Sequence, residues 1–337
     1  MQVTASVAAQ MITAAIRAKL VPLLIGSPGC GKSQIVHQIA QEHALQVIDL
    51  RLAQCDPCDI NGFPTFSQGK AGYAPMDTFP IAGDPLPEGK QGWLLFLDEM
   101  TSAPPAVQAA AYKLVLDRQV GKYHLHDNLA IVCAGNLESD NAIVQPMSTA
   151  LQSRLVHMEL AVDTKEWLDW AASNDIDHRI TAYINFRPEN LYTFKPDHTD
   201  HTYAAPRTWE FANRLLKQGI ENTGILTPLL SGTLSEGVAR EFINFTKIYK
   251  ELPTIQEILA DPEGIKVPEE PGTRYAITGS ISHHMKADTA DALMKYIMRL
   301  PIEFQVVCLR ETIRRHKELL ATPAIQAWIA KSASELF

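Results

Sequence analysis

A glycine-rich segment near the start of the chain has the residue types and spacing needed to hold phosphate groups. It fits the pattern GxxxxGK[ST] at every fixed position and consists of Gly26, Ser27, Pro28, Gly29, Cys30, Gly31, Lys32 and Ser33. Glycines let backbone N–H groups close around phosphate oxygens, and a following helix adds the positive end of its dipole. Lys32 would neutralise the β- and γ-phosphates, and the Ser33 hydroxyl would bind Mg²⁺. The segment therefore predicts a phosphate-binding loop.

Acidic and amide side chains follow two later apolar runs, where such a loop requires them. Asp98 and Glu99 come directly after the run Trp93–Leu97, and Asn136 follows shortly after the run Ala130–Ala134. Asp98 would hold Mg²⁺, directly or through water, and Glu99 has the reach to orient and activate the attacking water. Asn136 would hydrogen-bond the γ-phosphate or that water from the opposite side. Together with the loop, these residues indicate phosphoryl-transfer chemistry.

A parallel sheet is needed to bring these side chains together, and the first half of the chain predicts one. Short, nearly continuous apolar runs alternate with amphipathic helical patterns, as expected for strands covered by helices on both faces. The predicted strands are Val21–Ile25, Val47–Leu50, Trp93–Leu97, Ala130–Ala134 and Leu155–Leu160. The expected fold class is α/β, a P-loop NTPase with a five-stranded parallel sheet flanked by helices, followed by an all-α lid and a helical C-terminal region.

The strand pattern ends near residue 162, and helical periodicity replaces it. We therefore expect an α/β nucleotide-binding domain at 1–162, a helical lid domain at 163–260, and a linker with a helical C-terminal extension at 261–337. An insert at about 59–91 is rich in Gly and Pro and too long for an ordinary structureless loop, so it should be functional or contain small elements of its own.

The composition limits the class of protein. The 337 residues are 46% hydrophobic and carry a formal net charge of −8, which excludes a largely disordered chain and weighs against a basic nucleic-acid-binding surface. No export signal and no apolar run long enough to span a bilayer is apparent in the sequence. The five cysteines lack the spacing of a disulfide framework. We expect a cytoplasmic chain with no membrane span.

On these motifs the chain resembles the AAA+ ATPases, and more narrowly the MoxR-like group. The further segments that carry the resemblance are Asp59–Gly62, Leu97–Met100, Ala103–Pro105, Asp117–Val120, Ala134–Asn136, Ala150–Arg154 and Ala205–Arg207. The family usually has an asparagine two residues after the Asp-Glu pair, and this chain has Thr101 there.

The resemblance implies roles that spacing alone does not assign. It implies Asn136 as sensor 1, Arg154 as an arginine finger that reaches the γ-phosphate of a neighbouring subunit, and Arg207 as sensor 2 on the lid. The alternatives are a strand-flanking salt bridge for Arg154 and a solvated helix-end position for Arg207. A finger that acts on a neighbour implies a ring, usually of six subunits, with ATP and Mg²⁺ bound.

The function implied by the resemblance is ATP hydrolysis in a ring that remodels or activates a partner protein, as a chaperone does. Relatives often act on a protein with a von Willebrand factor A domain. Two alternatives stay open: a nucleic-acid motor or helicase-loader-like ATPase, and a nucleotide-gated scaffold that hydrolyses little ATP. The net charge of −8 weighs against the first, and the presence of both acids and both arginines weighs against the second.

Two further patterns have a functional and a structural interpretation. The aromatic residues Phe63, Phe66 and Tyr73 of the insert could be pore contacts, but packing anchors are the favoured interpretation. Arg310, Arg314 and Lys317 share one helix face with Arg315 nearby, which could meet an acidic partner or a nucleic acid. Glutamates interrupt that face, so a solvated surface is favoured.

Overall fold

Residues 2–67, 69–140, 144–220 and 222–336 are described by a computed structural model of the chain. Gln68, in the predicted insert, lies outside these residues. The chain divides into an α/β unit (Met1–Asp163 with Lys195–His198) and a helical unit (Thr164–Phe194 with Thr199–Phe337). The finer division expected from the sequence, at 1–162, 163–260 and 261–337, stays a prediction.

All described strands belong to the α/β unit. They are β1 (Gln2–Val3), β2 (Val21–Ile25), β3 (Leu45–Arg51), β4 (Phe63–Ser67), β5 (Lys70–Ala74), β6 (Gly92–Asp98), β7 (Gln119–Val120), β8 (Tyr123–His124), β9 (Leu129–Gly135) and β10 (Leu155–Leu160).

The main sheet is parallel and has the strand order β1-β10-β2-β9-β6-β3 among the residues described. Five of these strands contain the five predicted apolar runs, so the predicted α/β P-loop fold is confirmed. The sixth, β1, was not predicted because two residues give no detectable pattern. It pairs with β10 at the sheet edge, where Val3 is buried.

Helices cover both faces of this sheet. They are α1 (Ala5–Arg17), α2 (Lys32–Glu42), α3 (Pro57–Asn61), α4 (Pro105–Asp117) and α5 (Thr149–Gln152). Because side chains alternate along a strand, Leu94 and Phe96 pack in one core with α1 and α2, whereas Leu95 and Leu97 pack in another with α4. Burial on both faces explains why the strands are continuous apolar runs.

The insert contains α3 and an antiparallel hairpin of β4 and β5. Phe63 is 64% exposed and Phe66 is 85% exposed, whereas Tyr73 on the opposing strand is 48% exposed. The favoured interpretation of these aromatic residues as packing anchors is therefore wrong. Side chains this accessible do not hold the hairpin against a core.

The helical unit is built around two clusters of buried side chains. Its helices are α6 (Thr164–Ser173), α7 (His178–Phe186), α8 (Pro206–Leu216), α9 (Thr223–Leu234), α10 (Glu236–Ile248), α11 (Ile255–Ala260), α12 (Pro271–His284), α13 (Ala290–Ile297), α14 (Ile302–Arg315) and α15 (Pro323–Leu336). Tyr183, Trp209 and Phe242 join α7, α8 and α10 through ring contacts of 5.3–5.7 Å between centroids. Leu293, Met294 and their neighbours form the second cluster.

The basic residues in and just after α14 differ in exposure: Arg310 and Lys317 are exposed, whereas the interpretation as a solvated surface is wrong for Arg314 and Arg315. The Arg314 side chain is 14% exposed and pairs with Asp169 of α6, and the Arg315 side chain is 7% exposed. Arg315 lies 3.3 Å from Glu311 and donates to Thr181 Oγ1 at 3.0 Å. These contacts tie α14 to α6 and α7 within the helical unit.

Within the described part of the chain, no helix combines the length and the apolar composition needed to cross a membrane.

Candidate functional site

The glycine-rich loop joins the end of β2 to the start of α2. Gly29 has φ 77° and Gly31 has φ 105°, left-handed conformations that favour glycine. Gly31 is also the N-cap residue of α2, so the loop ends at the positive end of an 11-residue helix. A side chain at Gly26 would lie 3.1 Å from Cys30 Sγ and 3.2 Å from Leu160 Cβ. The loop is thus closely packed, and its position at the N-terminus of a helix suits the binding of an anion.

Lys32 is buried at the base of this loop. Within the loop, Lys32 Nζ donates to Gly26 O at 2.5 Å and to Ser27 O at 3.2 Å. It also donates to Asn136 Oδ1, beyond the end of β9, at 3.0 Å. Three acceptors fix the position of the ammonium group, which reduces the entropy lost when it binds an anion. The loop and the end of β9 therefore meet at this lysine.

Ser33 and Asp98 place two oxygen atoms side by side. Ser33 Oγ donates to Asp98 Oδ2 at 3.2 Å, and the other carboxylate oxygen of Asp98 accepts from the backbone N–H of Glu99 at 2.8 Å. A hydroxyl and a carboxylate are ligands that Mg²⁺ accepts alongside water and phosphate oxygens. The pair thus fits a magnesium site of the kind predicted from the sequence.

The carboxyl end of β6 has a second acidic neighbour. Burial raises the pKa of Asp49 on β3, and the charge of Asp98 raises it further, against the lowering effects of His37 and Arg51. A second carboxylate near Asp98 makes this edge of the sheet favourable for a divalent cation.

Glu99 occupies a sharp turn at the end of β6. Its φ is 56°, in the left-handed region, where a non-glycine residue is held at a cost of about 1–3 kcal/mol. The Ser102 N–H donates to Glu99 O at 2.9 Å and closes the turn. The half-buried side chain is directed by this turn rather than by the regular strand, as is frequent for residues at functional sites.

The remaining predicted residues lie elsewhere. Arg154 directly precedes β10, and β10 begins in register with Val21 at the first residue of β2. The phosphate-binding loop starts beyond the last residue of β2, about 16 Å further along the strands. Arg154 is exposed, donates to Ala150 O at 3.1 Å and Ser153 Oγ at 2.7 Å, and lies over the ring of Tyr112. It is thus far from the loop of its own chain.

Arg207 belongs to the helical unit. It is exposed in the first turn of α8, directly after Pro206. Its predicted role as sensor 2 stays a prediction, as does the role of Arg154.

Two residues of the site were given no role from the sequence. Asp140 is buried in the turn beyond Asn136, and its Oδ1 accepts from Ser27 Oγ at 3.1 Å. Thr101 is buried and hydrogen-bonds the backbone of Asn136. Neither belongs to a pattern with a period, so only their nearness to the Asp-Glu pair and to Asn136 could have pointed to them.

Comparisons with known proteins add distant structural similarities. The sequence matches no family model, and no curated protein matches it. The Holliday junction branch migration motor RuvB of Thermotoga maritima is similar at 15% identity and a TM-score of 0.39, over 87% of this chain and 87% of that one. NtrX from Brucella abortus is similar at 14% identity and a TM-score of 0.34, over 97% of this chain and 67% of that one. Neither similarity is close enough to assign a function.

Proposed function

We propose that the chain is an ATP-hydrolysing enzyme of the AAA+ class and the MoxR-like group, which works as a ring and remodels a partner protein. The observation that carries the proposal is the convergence of Lys32, the Ser33–Asp98 pair, Glu99 and Asn136 at one edge of a parallel sheet. A cation, oxygen ligands for a metal and a carboxylate that can align water are groups that phosphoryl transfer to water requires.

The chain's own groups account for binding and positioning. Lys32 and the backbone N–H groups of the loop bind the β- and γ-phosphates of ATP, and Ser33 and Asp98 hold Mg²⁺. The metal, when bound, offsets negative charge on the phosphate oxygens. Glu99 aligns the attacking water and accepts its proton, while the Asn136 amide fixes the γ-phosphate or the water from the other side.

The arginines extend the proposal to an assembly. Arg154 lies at the opposite end of the strands from the loop of its own chain, which supports action on a neighbouring subunit. A guanidinium supplied in this way is worth about 10³–10⁵ in rate. Arg207 would couple the nucleotide state to the helical unit. The resemblance implies six subunits.

The nature of the partner follows from charge and exposed surface. The net charge of −8 disfavours a polyanionic substrate, and the exposed Phe63 and Phe66 of the insert give the chain apolar side chains that a polypeptide could contact. A partner with a von Willebrand factor A domain is implied by the resemblance alone.

Phosphate release by the purified full chain tests the enzymatic part of the proposal. The wild-type chain with ATP and Mg²⁺ should turn over, whereas Glu99→Gln should bind ATP and lose turnover by at least about 100-fold, because the amide cannot accept a proton from water. Glu88→Gln, an exposed acid of the same unit, is the matched control and should keep wild-type turnover.

Three results would contradict the proposal. Near-normal turnover in Glu99→Gln would remove Glu99 from the reaction. ATP binding by the wild-type chain without phosphate release would favour the nucleotide-gated scaffold. A steep rise in turnover with DNA at low salt would favour the nucleic-acid motor.

A further inference from the structure

We infer that Thr101 is a positioning residue whose hydroxyl holds the backbone of Asn136 and so sets the amide of that residue for the reaction. The inference rests on the proposed function for its catalytic consequence, although the contact itself can be tested without it. Thr101 lies two residues after Glu99 in the sequence.

The Thr101 hydroxyl makes two hydrogen bonds to one residue. Its Oγ1 accepts from the Asn136 N–H at 2.9 Å and donates to Asn136 O at 3.2 Å. A hydroxyl can do both at once, whereas valine, which has nearly the same shape, can do neither. Thr101 is 6% exposed, so water does not easily replace these bonds if they are lost.

The backbone next to Asn136 is shaped to receive this side chain. A Cβ at Gly135 would lie 2.6 Å from Thr101 Cγ2 and 2.7 Å from its Oγ1, distances that real Cβ atoms do not reach. The absence of a side chain at Gly135 therefore lets Thr101 approach the end of β9. The contact therefore depends both on the Thr101 hydroxyl and on glycine at position 135.

Thr101 is itself held at both ends of its short segment. It lies in the turn Met100–Ser102 that directly follows Glu99, and Ser102 N–H donates to Glu99 O at 2.9 Å. Its own carbonyl accepts from Gln145 N–H at 2.7 Å. The hydroxyl thus connects the turn that carries Glu99 to the strand end that carries Asn136.

The hydrogen bonds from Thr101 to the Asn136 backbone affect the reaction through the Asn136 side chain. Its Oδ1 accepts from Lys32 Nζ at 3.0 Å, so the orientation of the amide is defined by Thr101 on the backbone side and by Lys32 on the side-chain side. Without the hydroxyl, the backbone of Asn136 should rotate to find other partners, and the amide should leave its place beside the γ-phosphate position.

The test compares Thr101→Val with Thr101→Ser in the full chain. Valine keeps the shape and loses both hydrogen bonds, while serine keeps the hydroxyl. We expect Thr101→Val to lower kcat by roughly 10- to 100-fold with KM for ATP changed less than about threefold, a loss typical of supporting residues. Thr101→Ser should stay within about threefold of wild-type kcat. If Thr101→Val does not fold, Thr101→Ala takes its place.

Hydrogen–deuterium exchange at the backbone N–H of Asn136 is the second measurement, and it does not need turnover. Exchange should quicken at least tenfold in Thr101→Val and stay near the wild-type rate in Thr101→Ser. Equal kcat in wild-type and Thr101→Val chains would overturn the inference, as would equal losses in both variants or unchanged exchange. If the wild-type chain releases no phosphate, the proposed function fails, and exchange alone decides whether Thr101 holds Asn136.

Discussion

Lys32 and Glu99 lie at the same edge of the sheet and carry opposite charges, yet their side chains are placed by different means. Lys32 is buried and fixed by three oxygen acceptors, which suits a group that must meet a charged ligand without reorganising. Glu99 is placed by a backbone turn at φ 56° and remains half-buried. The first residue should therefore control binding, and the second should control turnover.

Replacement of Lys32 tests this separation. Lys32→Ala removes the ammonium group, so affinity for ATP should fall at least tenfold, in line with the loss of about 1.5–3 kcal/mol for a hydrogen bond to a charged group. Equilibrium titration with a fluorescent ATP analogue measures the change. Lys90→Ala, at an exposed lysine of the same unit, should bind as the wild-type chain does. Unchanged affinity in Lys32→Ala would remove the loop from nucleotide binding.

Some of the residues that form this site could be predicted from the sequence. The glycine-rich loop, the Asp-Glu pair and Asn136 follow apolar runs, and the carboxyl ends of parallel strands meet at one edge, so pattern and topology together bring them close. Thr101 and Asp140 contribute through contacts with Asn136 and Ser27, which depend on the path of two turns. A periodic pattern of apolar residues gives no information about the path of a turn.

At the scale of elements, α7 and α12 meet through stacked histidines. The ring centroids of His178 and His283 lie 4.7 Å apart, and His284 is 6.0 Å from His178. Burial lowers the pKa of His178 to about 3, against the attraction of Asp177 at 3.7 Å, and His283, Arg179 and His284 lower it further. Burial is the larger effect because the His178 ring packs against Tyr249, His283 and His284.

This cluster predicts a loss of stability in acid. Between pH 6.5 and about 3 the unfolded chain binds a proton on His178 that the folded chain does not, so the free energy of unfolding should fall as the pH falls through this window. The slope approaches about 1.4 kcal/mol per pH unit for one such group. Urea unfolding at a series of pH values measures it, and four of the five tryptophans report on the helical unit.

His178→Phe keeps an aromatic ring and removes the titration, so the slope between pH 6.5 and 4 should become shallower. His201→Phe, at an exposed histidine of the same unit, should keep the wild-type slope. If the two variants gave the same slope as each other, His178 would not be the source of the pH dependence.

The elements that could be predicted are those whose burial leaves a repeating pattern. The strands covered on both faces are continuous apolar runs in the sequence, and α2 follows the glycine-rich loop as expected. The burial of Arg314 and Arg315 could not be foreseen, because alternating acids and bases at helical spacing also describe a solvated face. Their partners on α6 and α7, Asp169 and Thr181, lie far away in the sequence and are brought close by the fold.

At the scale of the whole molecule, the α/β unit presents a phosphate-binding loop at one end of its strands and an exposed arginine at the other. Arg154 precedes β10 at the amino end of the sheet, and the loop follows β2 at the carboxyl end. One chain in the proposed ring therefore supplies the loop, and a neighbouring chain supplies the arginine. Under the proposed function, a complete site is built from two copies of the chain.

Mixed assemblies test whether sites are shared. Arg154→Ala subunits keep Glu99, and Glu99→Gln subunits keep Arg154, so some interfaces in a mixture have both groups intact. Random mixing at equal amounts should restore about a quarter of wild-type turnover if the sites act independently. Phosphate release across a series of mixing ratios measures the recovery.

The matched control combines Lys32→Ala with Glu99→Gln. Both residues belong to the same half of the site, so every subunit in this mixture carries a defective half and no recovery should follow. If no ratio of Arg154→Ala to Glu99→Gln exceeds either variant alone, the arginine does not act on a neighbour.

The close approach of Gly135 to Thr101 has a consequence for how such a sequence can change over generations. A methyl group at 135 would overlap both Cγ2 and Oγ1 of Thr101, so it requires a residue at 101 that lacks both atoms, such as alanine. Such a residue also loses the hydrogen bonds to Asn136, so the paired change restores the space but not the contact. The two positions are therefore epistatic, and descendants of this chain should inherit them together.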